Sequence, residues 1–258
     1  MSSLKHMKLV YVYHSGIALL MDKCSILFDF YEDSNEDGSD GFVHQELLND
    51  EKPLYVFVSH FHQDHFNPIV LNFQHSKKNI KFILSNDIHK RRNNVVKAHT
   101  DADITFLKKG ETYEDEYIKT KAFGSTDTGV SFYVECEGKK LFHSGDLNNW
   151  HWIDESTQEE AHAAEQAYLK ELSEIKAQVP KLDLAMFPID YRLGSQYMRG
   201  AEQFVDAIAC KYFCPIHFSA FGYEKLEPFI VLGQAYHAKV LDIQKRGQIF
   251  ELKQDDEE

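Results

Sequence analysis

Ser59-His60-Phe61-His62-Gln63-Asp64-His65-Phe66 decides the reading of this chain. It follows Leu54-Tyr-Val-Phe-Val58, an unbroken apolar run of the kind found in strands covered on both faces. His60 and His62 are two apart at the end of that run. Extended backbone turns alternate side chains the same way, so the two imidazoles face one side. Asp64 and His65 fall on the turn into Asn67-Pro68, a helix cap followed by proline at the first helical position. Adjacent residues on that turn can address two neighbouring sites. The plainer reading is a set of surface histidines beside a cap. Four potential metal ligands within six residues, at a strand end where sites gather, weigh against it.

Outward from this segment the text stays rich in strands. Upstream are Lys8–Tyr13, Ile17–Met21 and Ser25–Phe30, dominated by aromatic and β-branched residues. Downstream, Ile80–Ser85, Ile104–Leu107, Glu114–Ala122, Val130–Glu135 and Lys140–Phe142 continue the pattern, with Glu137-Gly138 marking a hairpin. Residues 155–179 read as a helix whose core stripe is Tyr168, Leu172, Ile175 and Val179. Leu182–Phe187, Tyr212–Ile216 and Gln248–Leu252 read as strands, and Ala201–Lys211 and Tyr223–Ala238 as helices. The acidic stretch Glu32–Asp40 reads as a solvated surface loop. Hairpins and helices do not alternate strictly, which favours two packed sheets flanked by helices over one doubly wound sheet.

Composition narrows the classes. The chain has 258 residues, 43% hydrophobic and 27% charged, enough for a sizeable core without disulfides. Its formal net charge is −13, of which four negatives lie in Asp255–Glu258, an acidic tail from Gln254 expected to be disordered. That field opposes nucleic acid and anionic membranes. The one basic run, His89-Lys90-Arg91-Arg92, reads as a solvated helix face. No apolar run is long enough to span a membrane. No secretory signal pattern is present, and four cysteines in a chain this long do not make a disulfide framework, so a cytoplasmic location is expected.

His60, His62, Asp64 and His65 match, without a gap, the His-x-His-x-Asp-His signature of the metallo-β-lactamase superfamily, which the chain resembles along nearly its whole length. Asp29 resembles the early strand-end Asp that supports the metal loop. Phe142-His143-Ser144-Gly145-Asp146 resembles the segment supplying a bridging carboxylate, here Asp146. Pro215-Ile216-His217 resembles the late metal histidine. Tyr13-His14-Ser15-Gly16 and the overall length are most similar to the branch containing ascorbate-phosphate lactonase. The resemblance implies a single domain over residues 1–258, a four-layer αββα sandwich with the metal site at one edge of the two sheets. It implies His60, His62, Asp64, His65, Asp146 and His217 as metal ligands.

One position departs from the pattern. In Gly124-Ser125-Thr126-Asp127-Thr128-Gly129, Ser125 stands where the family carries a histidine. One metal site is then a ligand short unless Asp127 substitutes. Alternatively, Ser125 to Asp127 form a side-chain-capped turn.

Imidazoles and carboxylates without thiolate suit one or two Zn²⁺ ions, and also Mn or Fe. A metal-bound hydroxide at neutral pH would hydrolyse a small-molecule lactone, ester, amide or phosphoester. Asp64 is expected both to ligate and to orient the nucleophilic water. Asn148-Asn149-Trp150-His151-Trp152 offers a pocket wall, with His151 as a proton donor or further ligand. Its other reading is a buried aromatic anchor. Arg192 offers a planar fork to a carboxylate or phosphate, or pairs with Asp190. Tyr197 and Arg199 share its loop. Cys210 and Cys214 read as core thiols. The competing functional readings are a degenerate, non-catalytic metal or ligand binder, kept in play by Ser125, and a phosphodiesterase or nuclease. Homo-oligomerisation is left open.

Overall fold

The computed structural model describes residues 7–218 and 222–253; the acidic end from Gln254 lies outside them. The chain divides into two compact units, residues up to 106 with those from 245 onward, and residues 107–244. Each contains one seven-stranded mixed sheet.

In the first unit the strands are β1 (Met7–Tyr13), β2 (Gly16–Leu20), β3 (Ser25–Phe28), β4 (Leu54–Val58), β5 (Ile80–Ser85), β6 (Ile104–Leu107) and β14 (Gln248–Leu252). The sheet order is β14-β1-β2-β3-β4-β5-β6. β14, β1, β2 and β3 pair antiparallel, and β3, β4 and β5 pair parallel. All five side chains of β4 are buried, as its unbroken apolar text requires. Each such Leu, Val or Phe taken from water contributes about 2 kcal/mol. Short helices α1 (Phe42–Gln45), α2 (Asn86–Arg91) and α3 (Asn93–Lys97) complete the unit. The start of the acidic stretch is not simply solvated. Asp33, its side chain nearly buried, accepts from the backbone N–H groups of Val43 and His44 and meets His44 Nδ1 at 2.6 Å, so it caps α1.

In the second unit the strands are β7 (Thr112–Glu114), β8 (Ile118–Phe123), β9 (Ser131–Cys136), β10 (Lys139–His143), β11 (Lys181–Pro188), β12 (Ala209–Ile216) and β13 (Lys239–Val240), ordered β13-β12-β11-β10-β9-β8-β7. The four strands β10 to β13 are mutually parallel, and the four from β7 to β10 antiparallel. The helices are α4 (Gln158–Lys176), α5 (Arg199–Ala207) and α6 (Glu227–Ala235). Thr157 and Glu160 form a capping box at the start of α4, and Tyr168, Leu172 and Ile175 form its buried face.

Three expectations shift. The strand expected over Glu114–Ala122 is a hairpin, because the Asp115 carboxylate accepts from the N–H groups of Tyr117 and Ile118 and closes a turn. The helix after Asn67 is a 3₁₀ segment over Pro68–His75, capped by the Asn67 side chain. The helix expected to reach Lys211 stops at Ala207, since residues 209–216 join the sheet as β12.

The parallel pairing places the chemistry. β3, β4, β10, β11 and β12 all end just before a residue singled out above: Asp29, His60, Asp146, Asp190 and His217. Carboxyl ends of parallel strands are where open α/β sheets bind ligands.

Candidate metal centre

In the first unit the loop after β4 is held from both sides. The Phe61 N–H donates to Asp87 Oδ2 at 3.0 Å, and the Arg92 guanidinium donates to the Phe61 carbonyl at 3.2–3.3 Å. Arg92 thus has a structural task within the basic run. His65 and Phe66 both donate to the His62 carbonyl, closing the turn. His60 and His65 are buried; His62 and Asp64 are part-exposed.

Asp29, fully buried, accepts from the Ser59 N–H at 2.7 Å and the Ser59 hydroxyl at 2.6 Å, and meets His65 Nδ1 at 2.7 Å. Ser59 Oγ also meets His60 Nδ1 at 2.9 Å. Both imidazoles are therefore engaged through Nδ1, which makes Nε2 of each the nitrogen that could hold an ion. This is the carboxylate-behind-histidine arrangement that fixes tautomer and orientation in metal sites. His65 Nε2 stands 3.8 Å from Asp64 Oδ2. Ligand atoms of His60 and His62 lie within 4.8 Å of each other.

The second unit has a matching arrangement. His217 Nδ1 meets Asp190 Oδ2 at 2.9 Å, and His217 Nε2 stands 3.5 Å from Asp146 Oδ1. Two donors each about 2.1 Å from a shared ion stand about 3.4 Å apart at the tetrahedral angle, and hydrogen-bonded atoms are closer than 3.2 Å. The His217–Asp146 spacing fits the first case. Asp190 is fully buried and also takes the Arg192 backbone N–H and guanidinium. Burial would raise its pKa, but the hydrogen bonds from His217 and Arg192 outweigh that and hold it at about 2.

Thr126 Oγ1 donates to the Asn148 carbonyl and accepts from the Asn148 N–H, tying the Ser125 segment to the loop that follows Asp146. Ser125 Oγ accepts from the Asp127 N–H at 3.4 Å, the capped turn that was one of its two readings. A carboxylate oxygen of Asp127 nevertheless lies within 4.8 Å of one of Asp146.

Two of the expected catalytic residues have structural partners, as their alternative readings allowed. His151 is buried with both ring nitrogens taken by backbone: the Ile153 N–H donates to Nδ1 at 3.0 Å, and Nε2 meets the Gln196 carbonyl at 3.1 Å. The ring anchors its loop through these two contacts. Arg192 lies bidentate on Asp190, so it acts behind His217 and presents no open fork. Arg199 pairs with Glu165, and Tyr197 packs on Tyr191 with ring centroids 4.3 Å apart. Trp150 donates to the Asp146 carbonyl, stacks on Trp152 and meets His217 edge-on at 6.1 Å, so the aromatic wall does adjoin His217. Cys210 and Cys214 are buried free thiols, burial pushing Cys210 up to about 12.

One residue was quoted in the sequence without a chemical role. His14, on the β1–β2 turn, brings Nε2 to 3.3 Å from Asp64 Oδ2 and packs edge-on against His65.

The order of sheets, the parallel strand ends and the buttressed histidines define a metallo-β-lactamase-type fold, and the comparisons agree. Igni18, a metallo hydrolase from the archaeon Ignicoccus hospitalis, superposes with a TM-score of 0.68 at 16% identity, covering 97% of this chain and all of that one. The metallo-β-lactamase fold protein YhfI of Bacillus subtilis gives 0.63 at 13% identity, over 95% of this chain and 99% of that one. Among sequences, a UPF0173 metal-dependent hydrolase of Natranaerobius thermophilus is 26% identical over 225 residues, 83% of this chain and 84% of its own length. No family model matches the chain. The chain is a metallo-β-lactamase-fold protein, as the resemblance from His60 to His65 implied. No helix among the described residues is long and apolar enough to cross a membrane.

Proposed function

We propose that this chain is a metal-dependent hydrolase of a small molecule, residues 1–258 acting as one domain. The metal ligands are His60, His62, Asp64, His65, Asp146 and His217, with Asp127 supplying a carboxylate where the resemblance expects an imidazole at Ser125. The carrying observation is the pair of buried carboxylates, Asp29 on His65 and Asp190 on His217, each fixing an imidazole through Nδ1. A donor set of imidazoles and carboxylates suits Zn²⁺, and accepts Mn or Fe. When bound, such an ion supplies hydroxide near neutral pH and polarises a carbonyl or phosphoryl oxygen. Asp64, part-exposed among the histidines, orients the attacking water. Trp150 and Trp152 form an apolar wall beside His217, suited to an organic acyl or phosphoryl substrate, with lactones, esters, amides and phosphoesters the classes of choice. Four buried cysteines fit a reducing, cytoplasmic setting.

Elemental mass spectrometry of protein purified without added metal is the first test, followed by turnover of lactone, ester and phosphodiester probes with and without chelator. One or two equivalents of metal and chelator-sensitive turnover are expected. No metal, even after reconstitution with Zn, Mn or Fe, would leave a binding scaffold and end this reading.

A further inference from the structure

The β1–β2 turn places an imidazole beside Asp64 that the His-x-His-x-Asp-His segment does not contain. His14 Nε2 is 3.3 Å from Asp64 Oδ2, and His65 Nε2 is 3.8 Å from the same oxygen. One ligand atom from each of the three residues lies within 4.8 Å of the others. A charge-assisted hydrogen bond between imidazole and carboxylate is shorter, about 2.7–2.9 Å. The observed spacings bracket the separation of about 3.4 Å for two donors on a shared ion. The His14 and His65 rings cross at 76° with centroids 5.9 Å apart, so they are not stacked face to face.

His14 and Ser15 are the two central residues of the β1–β2 hairpin, where a positive φ at the first position is usual. His14 has φ +56°, a left-handed conformation that a histidine adopts rarely and a glycine readily. The side chain is mostly buried, 14% exposed, beside Asp64, and Tyr31 meets it edge-on at 6.5 Å.

We propose that His14 is a metal ligand, joining Asp64 and His65 as a third donor from the first unit. This rests on the metal-dependent reading above and deepens it.

His14→Gly is the informative variant. Glycine relieves the left-handed backbone, so the metal-free variant should fold and melt no lower than the parent by circular dichroism. Metal affinity, measured by competition with a chromophoric chelator, should fall at least about 10-fold, in line with losses seen even for residues behind a ligand. The visible spectrum of the Co²⁺-substituted protein should change in intensity and position, and free imidazole should restore it. His14→Gln serves as a second variant with comparable bulk and no imidazole, and should show the same loss without rescue. If both variants bind Co²⁺ with the parent's affinity and spectrum, His14 is not a ligand and this inference is overturned while the hydrolase reading stands. If the parent itself binds no metal, the hydrolase reading falls first.

Discussion

Asp29→Asn is the sharpest single test of how the centre is held. The change alters no volume and removes one charge. Asp29 Oδ1 accepts from the Ser59 N–H, and Oδ2 meets both Ser59 Oγ and His65 Nδ1. With its oxygen kept on the Ser59 N–H, the new amide nitrogen faces His65 Nδ1. An amide nitrogen only donates, so Nδ1 must accept, and the ring proton moves to Nε2. That is the nitrogen proposed to ligate. Two effects follow. Hydrogen bonds to a charged, buried group are weakened or lost, costing about 2 kcal/mol in the metal-free protein. In a chain this long that lowers the melting temperature by about 4–8 °C. Metal affinity falls about 10–100-fold, the usual penalty for losing a partner behind a ligand. Denaturant titration of the metal-free protein measures the first, and chelator competition the second. An Asn variant within about 0.5 kcal/mol of the parent, with unchanged metal affinity, would refute the coupling of Asp29 to His65.

Further predictions address other residues. In the metal-free protein, Asp190 is held at about 2, below the ordinary value of 3.8, so its ionised form stabilises the fold above pH 4 and that contribution disappears as pH falls through 2. The stability gap between parent and Asp190→Asn should therefore shrink by about 2 kcal/mol between pH 5 and pH 2, read from urea melts across that window. A pH-independent gap would remove the argument. His151→Phe should destabilise by about 1–3 kcal/mol through its two lost backbone hydrogen bonds and leave metal content intact; loss of metal would restore His151 as a ligand. Thr157→Ala should cost about 1 kcal/mol by opening the capping box, with turnover unchanged.

The strands were readable because their cause is local. β4 is a continuous apolar run, and Glu137-Gly138 forms the turn between β9 and β10, where both residues have positive φ. The break within 114–122 was not, since it depends on Asp115 capping two backbone groups against an otherwise strand-like text. β13 is two residues long, too short for any periodicity. The candidate centre divides in the same way. His60, His62, Asp64 and His65 are dense enough in sequence to announce themselves. Asp190 stood beside Arg192 as a pairing choice, and that it turns to His217, 27 positions on, needs the parallel register of β11 and β12. His14 and Asp64 are 50 positions apart and meet only because β1 and β4 run the same way in one sheet.

Backbone conformation marks several strand ends apart from their chemistry. Among the described residues six non-glycine positions have positive φ: His14, Asp29, Glu137, Trp152, His217 and His237. Glu137 sits in a tight hairpin and His237 follows α6, where left-handed residues commonly end turns and helices. His14 likewise lies in the two-residue β1–β2 hairpin, and Asp29, Trp152 and His217 have no such common cause. His14, Asp29 and His217 each follow the end of a strand directly, and Trp152 stacks on Trp150, which meets His217 edge-on. Left-handed non-glycine residues cost of order 1 kcal/mol each, and surrounding contacts must over-determine them. Asp29 has that support from Ser59 and His65, and His217 from Asp190. A fold selected for stability alone would place glycine at these positions. Asp29 and His217, side chains able to buttress a ligand or to ligate a metal, occupy two of them, as the proposed centre requires.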